Sequence, residues 1–115
     1  MESYRVDVFN IVSGEYCIEA DEGQKVFEYI TKALNENHKV IISFKNITRI
    51  TTAFLNSAVG QLLRDYKEEE IRAKISYEDT TAVDRMKIKR VNQTAKLYYE
   101  NPDRMKNTIE DILGE

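Results

Sequence analysis

The chain has 115 residues, of which 42% are hydrophobic and 32% are charged, so it fits one globular domain over residues 1–115 and is neither disordered nor fibrous. Seventeen basic against twenty acidic residues give a formal net charge of −3, which argues against nucleic acid or an anionic membrane as the partner. A single cysteine, no signal-peptide pattern and no apolar run near the roughly 20 residues of a membrane span predict a cytoplasmic protein.

The N-terminal residues predict a β-hairpin. Residues 4–9 alternate in polarity and are rich enough in β-branched side chains for a first strand. The serine and glycine at 13–14 can turn the chain, so that residues 16–18 pair back as a second strand. The exposed edge of such a hairpin could support a homodimer.

Two helices and a buried strand are predicted next. Asp21, with Gln24 three residues later, resembles a capping box that opens a helix. Residues 40–44 form a nearly continuous apolar run, typical of a strand covered on both faces. A second helix is predicted over residues 52–66. The apolar stripes of the two helices are Val26, Phe27, Ile30, Ala33 and Leu34, and then Phe54, Leu55, Ala58, Val59, Leu62, Leu63 and Tyr66.

The C-terminal third predicts one more strand and two helical stretches. Residues 67–72 are interpreted as a charged connection and residues 73–77 as a strand. A long amphipathic stretch begins at Thr80, and Pro102 is typical of the first residue of a last helix. The order ββαβαβαα predicts an α/β sandwich with a mixed β-sheet of about four strands and three to four helices. The last two apolar stripes are Val83, Met86, Val91, Ala95 and Tyr98, and then Met105, Ile109, Ile112 and Leu113.

The middle of the chain runs from the buried strand through a short loop to a helix that begins at two threonines. This unit and the element order resemble the STAS fold of anti-sigma-factor antagonists. In those proteins, a buried strand and a loop with hydrophobic anchors precede Asp-Ser-Ser-Gly-Leu at a helix start. Aligned without gaps, Ile47 and Ile50 fall on the anchors and residues 51–55 fall on Asp-Ser-Ser-Gly-Leu. The chain is also similar to a small prokaryotic STAS-like family of unknown function, in which a hydroxyl-rich pair precedes Phe-Leu.

The resemblance implies a bacterial, non-catalytic signalling protein without a cofactor, which binds a regulatory protein such as a histidine-kinase-like ATPase. In the anti-sigma-factor antagonists a partner kinase phosphorylates the second serine of the motif, and the aligned residue here is Ala53. A gapped alternative aligns residues 56–58 with Asp-Ser-Ser and again leaves alanine at the accepting position. The resemblance therefore supports a binding surface better than it supports phosphorylation. The candidate phosphoacceptors are Thr51, Thr52 and Ser57, and the predicted partner surface is Thr51, Thr52, Asn56, Ser57, Gly60 and Arg64.

Other interpretations of these residues stay open. A phosphate at a helix N-terminus meets unpaired N–H groups and the positive end of the dipole, and so would a small-molecule or nucleotide anion. A plain threonine N-cap would instead contribute about 1 kcal/mol to the helix. Gly60 costs a helix about 1 kcal/mol relative to alanine, which indicates either a partner's close approach or close packing against a loop of the same chain.

Catalytic, metal and nucleic-acid sites are not predicted. Cys17 and His38, the only residues of their kinds, would have to touch to act as nucleophile and base, but they are typical of a strand core and a loop. One histidine and one cysteine fall short of the usual metal-ligand sets, and four dispersed glycines form no phosphate loop. A basic cluster in the third helical region contains Asp84, which favours a solvated helix face over nucleic-acid binding. The cluster is Arg85, Lys87, Lys89, Arg90 and Lys96.

Overall fold

The computed structural model describes residues 2–100, and the main sheet within them has three parallel strands. The central strand is the apolar run expected from the sequence. Its last residue, Ser43, pairs with Asp7 on one side and with Glu78 on the other, so the three strands end side by side. In spatial order the strands are β1 (Ser3–Asp7), β3 (Lys39–Ser43) and β5 (Ile75–Glu78).

A second, smaller sheet joins two short strands that are also parallel. The α/β class is therefore confirmed, but the described strands form two parallel sheets where a single mixed sheet was predicted. The prediction that residues 16–18 pair back on the first strand is wrong, because the strand there pairs with a segment more than 30 residues later. The strands of the small sheet are β2 (Tyr16–Cys17) and β4 (Arg49–Ile50).

The hairpin is absent because the chain enters a short helix, α1 (Val8–Val12), directly after β1. The Asp7 carboxylate starts this helix by accepting the backbone N–H of Asn10 at 3.4 Å and its side-chain amide at 2.9 Å. Ser13, with a left-handed φ of 60°, ends it. The serine–glycine pair therefore terminates a helix instead of turning a hairpin. Among the described strands, β1 is nevertheless at an edge of the main sheet, so the edge considered for a homodimer does not depend on the hairpin.

The first long helix, α2 (Ala20–Asn35), follows the predicted stripe closely. Its cap lies two residues earlier than expected, where the Glu19 backbone N–H donates to the Glu22 carboxylate at 3.4 Å. All five predicted stripe residues are buried, and they cover the main sheet as part of one core. One further buried residue of this helix, Gly23, was not expected.

The helix predicted over residues 52–66 is present, but it is not regular. The backbone N–H of Gln61 donates to the Asn56 carbonyl at 3.1 Å, which is the five-residue spacing of a π-helix. Because such a turn changes the angular position of the residues that follow it, a wheel drawn at regular helical spacing misplaces them. The three parts are α3 (Thr52–Leu55), a π-helical segment (Asn56–Gly60) and α4 (Leu62–Asp65).

The segment predicted as a charged connection is instead a helix, α5 (Glu68–Lys74). Its three glutamates lie in the first turn and its basic residues in the last turn, an order that suits the helix dipole. The strand predicted at 73–77 is confirmed as β5 with a later start.

The last described element is α6 (Ala82–Glu100). Val91 and Ala95 are buried as predicted, but Val83 and Met86 are 61% and 63% exposed, so their predicted burial is wrong. The helix expected to begin at Pro102 lies outside the described residues. Within residues 2–100, none of the helices has both the length and the apolar character to span a membrane.

Candidate functional site

Thr51 lies where the small sheet meets α3, and its polar groups are bonded within the chain. Its backbone N–H donates to the Cys17 carbonyl at 3.0 Å, and its hydroxyl donates to the Ile18 carbonyl at 2.6 Å. The same hydroxyl oxygen accepts the Phe54 N–H at 3.2 Å, so Thr51 is the N-cap that the sequence left open. A phosphoryl group on this oxygen would disrupt both hydroxyl contacts. The Phe54 N–H is also no longer free for the anion considered at this helix start.

Thr52 and Asn56 are the exposed polar residues of the same helix start. They are four residues apart and so lie on one side of the helix. Among residues 2–100, no hydrogen bond uses the Thr52 hydroxyl. The third candidate acceptor, Ser57, is half-buried against α2, so Thr52 is the most accessible of the three.

Gly23 lets α2 lie directly against the backbone of α3 and the π-helical segment. A Cβ added to Gly23 would lie 2.4 Å from the Phe54 carbonyl oxygen, 2.8 Å from the Ser57 Cβ and 3.1 Å from the Ala58 nitrogen. Only glycine fits such an approach without moving a backbone. Gly23 was not among the predicted site residues, although a glycine near the start of an amphipathic helix was the available signal.

Gly60 is buried inside the chain, contrary to its expected place on the partner surface. A Cβ there would lie 3.2 Å from Val91 Cγ1, 3.5 Å from Asn56 Oδ1 and 3.7 Å from Ala95 Cβ. Of the two explanations for Gly60, close packing within the chain is therefore the correct one. The element that packs against Gly60 is the helix α6, whereas a loop was expected. The same distances place the Asn56 side chain beside α6.

Arg64 is exposed but is remote from the threonines. Twelve residues separate it from Thr52, which is about 18 Å along a helix. Its guanidinium pairs with the neighbouring Asp65 at 3.1 Å, and this contact raises the pKa of Arg64. The structure thus brings together only part of the predicted surface.

α6 packs against α3 and carries two exposed apolar side chains, Val83 and Met86. Lys87 reaches from α6 to the Ile50 carbonyl, to which its Nζ donates at 3.0 Å. Val83, four residues before Lys87, lies on the same side of α6 as Lys87. Met86 is next to Lys87 in the chain but points about 100° away around the helix, where it neighbours Val83. The buried residues of α6 recur at three- and four-residue spacing, and Val83 and Met86 do not continue that spacing toward the start of the helix. This difference is the signal that would have excluded them from the core stripe. Those buried residues are Ile88, Val91 and Ala95.

We define the α3–α6 face as the exposed residues Thr52 and Asn56 at the helix start and Val83 and Met86 on α6, which packs against α3. Residues 22–92, which run from the first turn of α2 into α6, match a family described as a STAS-like domain of unknown function (DUF4325). The chain belongs to this family. The resemblance predicted from the central unit is thereby confirmed. No curated protein and no solved structure matches the chain.

The STAS-like domain has a second polar cluster, at the carboxyl ends of its main sheet. The buried Ser43 hydroxyl donates to Asp79 Oδ2 at 2.9 Å, and it accepts from the Arg5 guanidinium at 3.1 Å and from the Lys45 backbone N–H at 3.3 Å. Arg5 also pairs with Glu78 at 2.6 Å. Ligands often bind at this edge of an open α/β sheet. Here the hydroxyl's capacity is used within the domain, so the cluster acts as an internal clamp.

The STAS-like domain does not bring Cys17 and His38 together. Cys17 is fully buried in the small sheet, and its burial, with Glu22 and Asp84 nearby, raises the pKa of the thiol to about 12. His38 instead precedes the amino end of β3, where its backbone N–H donates to the Ala33 carbonyl at 3.0 Å. A thiol kept neutral by burial is a poor nucleophile, so this pair offers no catalytic arrangement.

Proposed function

We propose that this STAS-like domain is a non-catalytic regulatory module that binds a partner protein through the α3–α6 face. The observation that carries the proposal is that two packed helices both present exposed side chains: Thr52 at the start of α3, and Val83 and Met86 on α6. Methionine is enriched at protein interfaces, and apolar side chains grouped with polar neighbours are typical of a binding surface. Gly60 and Arg64 do not belong to this contact.

The partner class that we favour is a kinase-like ATPase of bacterial signalling. This inference depends on the resemblance of the central unit to the anti-sigma-factor antagonists, and it places the nucleotide in the partner. A cytoplasmic location agrees with one buried cysteine that has no disulfide partner within residues 2–100.

Thr52 is the residue at which phosphorylation would regulate the contact. Its hydroxyl is exposed in the first turn of α3, whereas the Thr51 hydroxyl already bonds to two backbone groups. A phosphate would add about −1.5 to −2 charges to the α3–α6 face. It would favour the helix start through the dipole, but it would oppose an apolar or acidic partner surface.

The test begins with affinity capture on the full chain, followed by reconstitution with the purified partner and calorimetric measurement of Kd. Met86→Glu and Thr52→Glu each place a charge on the proposed contact and are expected to raise Kd by about tenfold or more. Tyr29→Glu is the matched control, because Tyr29 is 47% exposed on α2, a helix that contributes no residue to the face. It is expected to leave Kd within about twofold.

Equal affinities for all four proteins would exclude the α3–α6 face as the contact. If affinity capture recovered the same proteins with wild type and with Met86→Glu, that result would also exclude the α3–α6 face as the contact. Intact-mass analysis of the recovered chain then tests the regulatory part, since phosphate on Thr51 instead of Thr52 would contradict the assignment.

A further inference from the structure

A groove of about 620 Å³ lies between α5 and α6, and none of the four residues of the α3–α6 face lines it. Its apolar floor comes from four elements: α4, α5, β5 and α6. A volume of this size is within the range of sites that hold small organic molecules. The floor residues are Leu63, Ile71, Tyr77 and Ile88.

The rim of the groove is strongly basic. It carries four cationic side chains against one carboxylate, Glu68, in a chain whose formal net charge is −3. Glu68 is neutralised by two of these cations: it pairs with Lys96 at 2.7 Å and also with Arg72. Among residues 2–100, the other two cations, Arg85 and Lys89, form no ion pair. The groove therefore has a positive charge excess that nothing in the described part of the chain balances.

The α6 wall arranges its polar groups in a line. Arg85, Lys89, Asn92 and Lys96 recur at three- and four-residue spacing and so lie along one side of the helix. The Arg85 guanidinium is oriented by the Thr80 hydroxyl, to which it donates at 2.7 Å. Lysine, arginine and amide groups above an apolar floor would recognise a negatively charged head group attached to an apolar body.

The basic cluster that was predicted to be one solvated helix face is split between the groove and the rest of the surface of α6. Lys87 crosses to the Ile50 carbonyl on the other side of α6, and Arg90 is exposed outside the groove. Only Arg85, Lys89 and Lys96 of that cluster line the groove. The cations are thus concentrated at one concave site, whereas nucleic-acid binding would need an extended basic surface.

We propose that the α5–α6 groove binds a small amphipathic organic anion, with an aromatic or short acyl body on the apolar floor and one carboxylate, sulfonate or phosphate group against Arg85 and Lys89. This site shares no lining residue with the α3–α6 face and needs no protein partner. It would make the domain responsive to a metabolite as well as to a protein.

The probe is 8-anilinonaphthalene-1-sulfonate, an aromatic anion whose fluorescence rises in an apolar site, titrated into the folded full chain. Saturable binding at one site per chain is expected, with competition by octanoate and weakening at higher salt. Lys89→Glu is expected to weaken binding by about tenfold or more, because it removes one charged contact and adds a repulsive one. Arg90→Glu changes the charge equally at the next residue, outside the groove, and is expected to change the affinity by less than about twofold.

N-phenyl-1-naphthylamine, which has the same aromatic body without the sulfonate, separates charge recognition from general hydrophobic binding. Its binding is expected to be weaker and to be the same in wild type and Lys89→Glu. Circular dichroism melts establish that both variants are folded. The proposal is overturned by non-saturable binding, by equal losses in Lys89→Glu and Arg90→Glu, or by equal affinity for the neutral probe. Thr52→Glu should leave probe binding unchanged, so the two proposals can fail separately.

Discussion

Ser43 and the threonine pair differ in what their hydroxyls bond, although Ser43 is the last residue of β3 and the threonines directly follow β4. Ser43 is 1% exposed, and its hydroxyl donates and accepts only within the chain. Thr51 is used in the same internal way, but the next hydroxyl, on Thr52, is exposed. A hydroxyl at a strand end is therefore not in itself a site. What matters is whether its hydrogen bonds are already made, because breaking internal ones has a free-energy cost that a solvated hydroxyl avoids.

The contact that positions the threonine region gives the largest expected effect. Gly23→Ala would place a Cβ 2.4 Å from the Phe54 carbonyl oxygen, so a backbone must move. We expect the free energy of unfolding to fall by about 3 kcal/mol or more in urea titrations. Gly14→Ala is the matched control, since its Cβ meets nothing within 4 Å and should change stability by no more than about 1 kcal/mol. Similar results for the two substitutions would contradict the close approach of the helices.

The buried thiol of Cys17, the residue whose carbonyl accepts the Thr51 backbone N–H, predicts a loss of stability at alkaline pH. The unfolded thiol of Cys17 ionises near pH 9, whereas burial raises the pKa of the native thiol to about 12. Between these values the native state holds one more proton, so the free energy of unfolding falls by up to about 1.4 kcal/mol per pH unit. Below pH 9 this thiol has no effect on the slope.

Chemical unfolding of wild type and Cys17→Ala across this alkaline range checks the slope. The variant should show a shallower decline, and Tyr77, whose burial raises its pKa to about 12, should contribute equally to both proteins. Identical slopes for the two proteins would show that the thiol is not shielded.

The internal clamp at Ser43 predicts a moderate effect. Ser43→Ala removes the acceptor for Arg5 and Lys45 and the donor for Asp79. Because the charged groups are partly exposed and can bond to water, we expect a loss of about 1–2 kcal/mol in the free energy of unfolding. Ser43→Thr, which keeps the hydroxyl, should lose less. If Ser43→Ala left the free energy of unfolding unchanged, the distinction between the clamp at Ser43 and the exposed hydroxyl of Thr52 would be lost.

The two neighbouring threonines should give the smallest but sharpest contrast. Thr51→Ala removes a cap and should cost about 1 kcal/mol, whereas Thr51→Ser should retain most of it. Thr52→Ala should change stability by less than about 0.5 kcal/mol, because its hydroxyl is exposed and alanine favours a helix. Thermal melts of the three variants measure this. A larger loss for Thr52→Ala than for Thr51→Ala would reverse the assignment of their roles.

The elements that could be predicted from sequence are those whose local signals agree with their packing. The stripe of α2 and the apolar run of β3 are each explained by periodicity alone. The serine–glycine pair at 13–14 failed because the same residues can end a helix or turn a hairpin. Val83 failed because an apolar residue is not buried unless its side of the helix meets the core.

The candidate site, like the fold, could be predicted from the sequence only in part. Thr51 and Thr52 were identified at a helix start, but the choice between cap and free hydroxyl depends on the carbonyl of Ile18, which no local pattern places there. Gly60 was recognised as unusual, yet its partner is α6, about 30 residues later in the chain. Long-range neighbours of this kind are invisible to spacing arguments.

The sequence by itself determined the α/β class, the STAS-like family, the position of the central strand and the helix that begins at Thr52, because all of these follow from periodicity and local motif order. Only the tertiary structure decided which hydroxyl is exposed, that Gly23 and Gly60 are internal contacts, and that part of the basic cluster faces a groove. The physical reason is that burial and hydrogen-bond partners are set by elements distant in the chain, whose approach depends on the packing of the whole core.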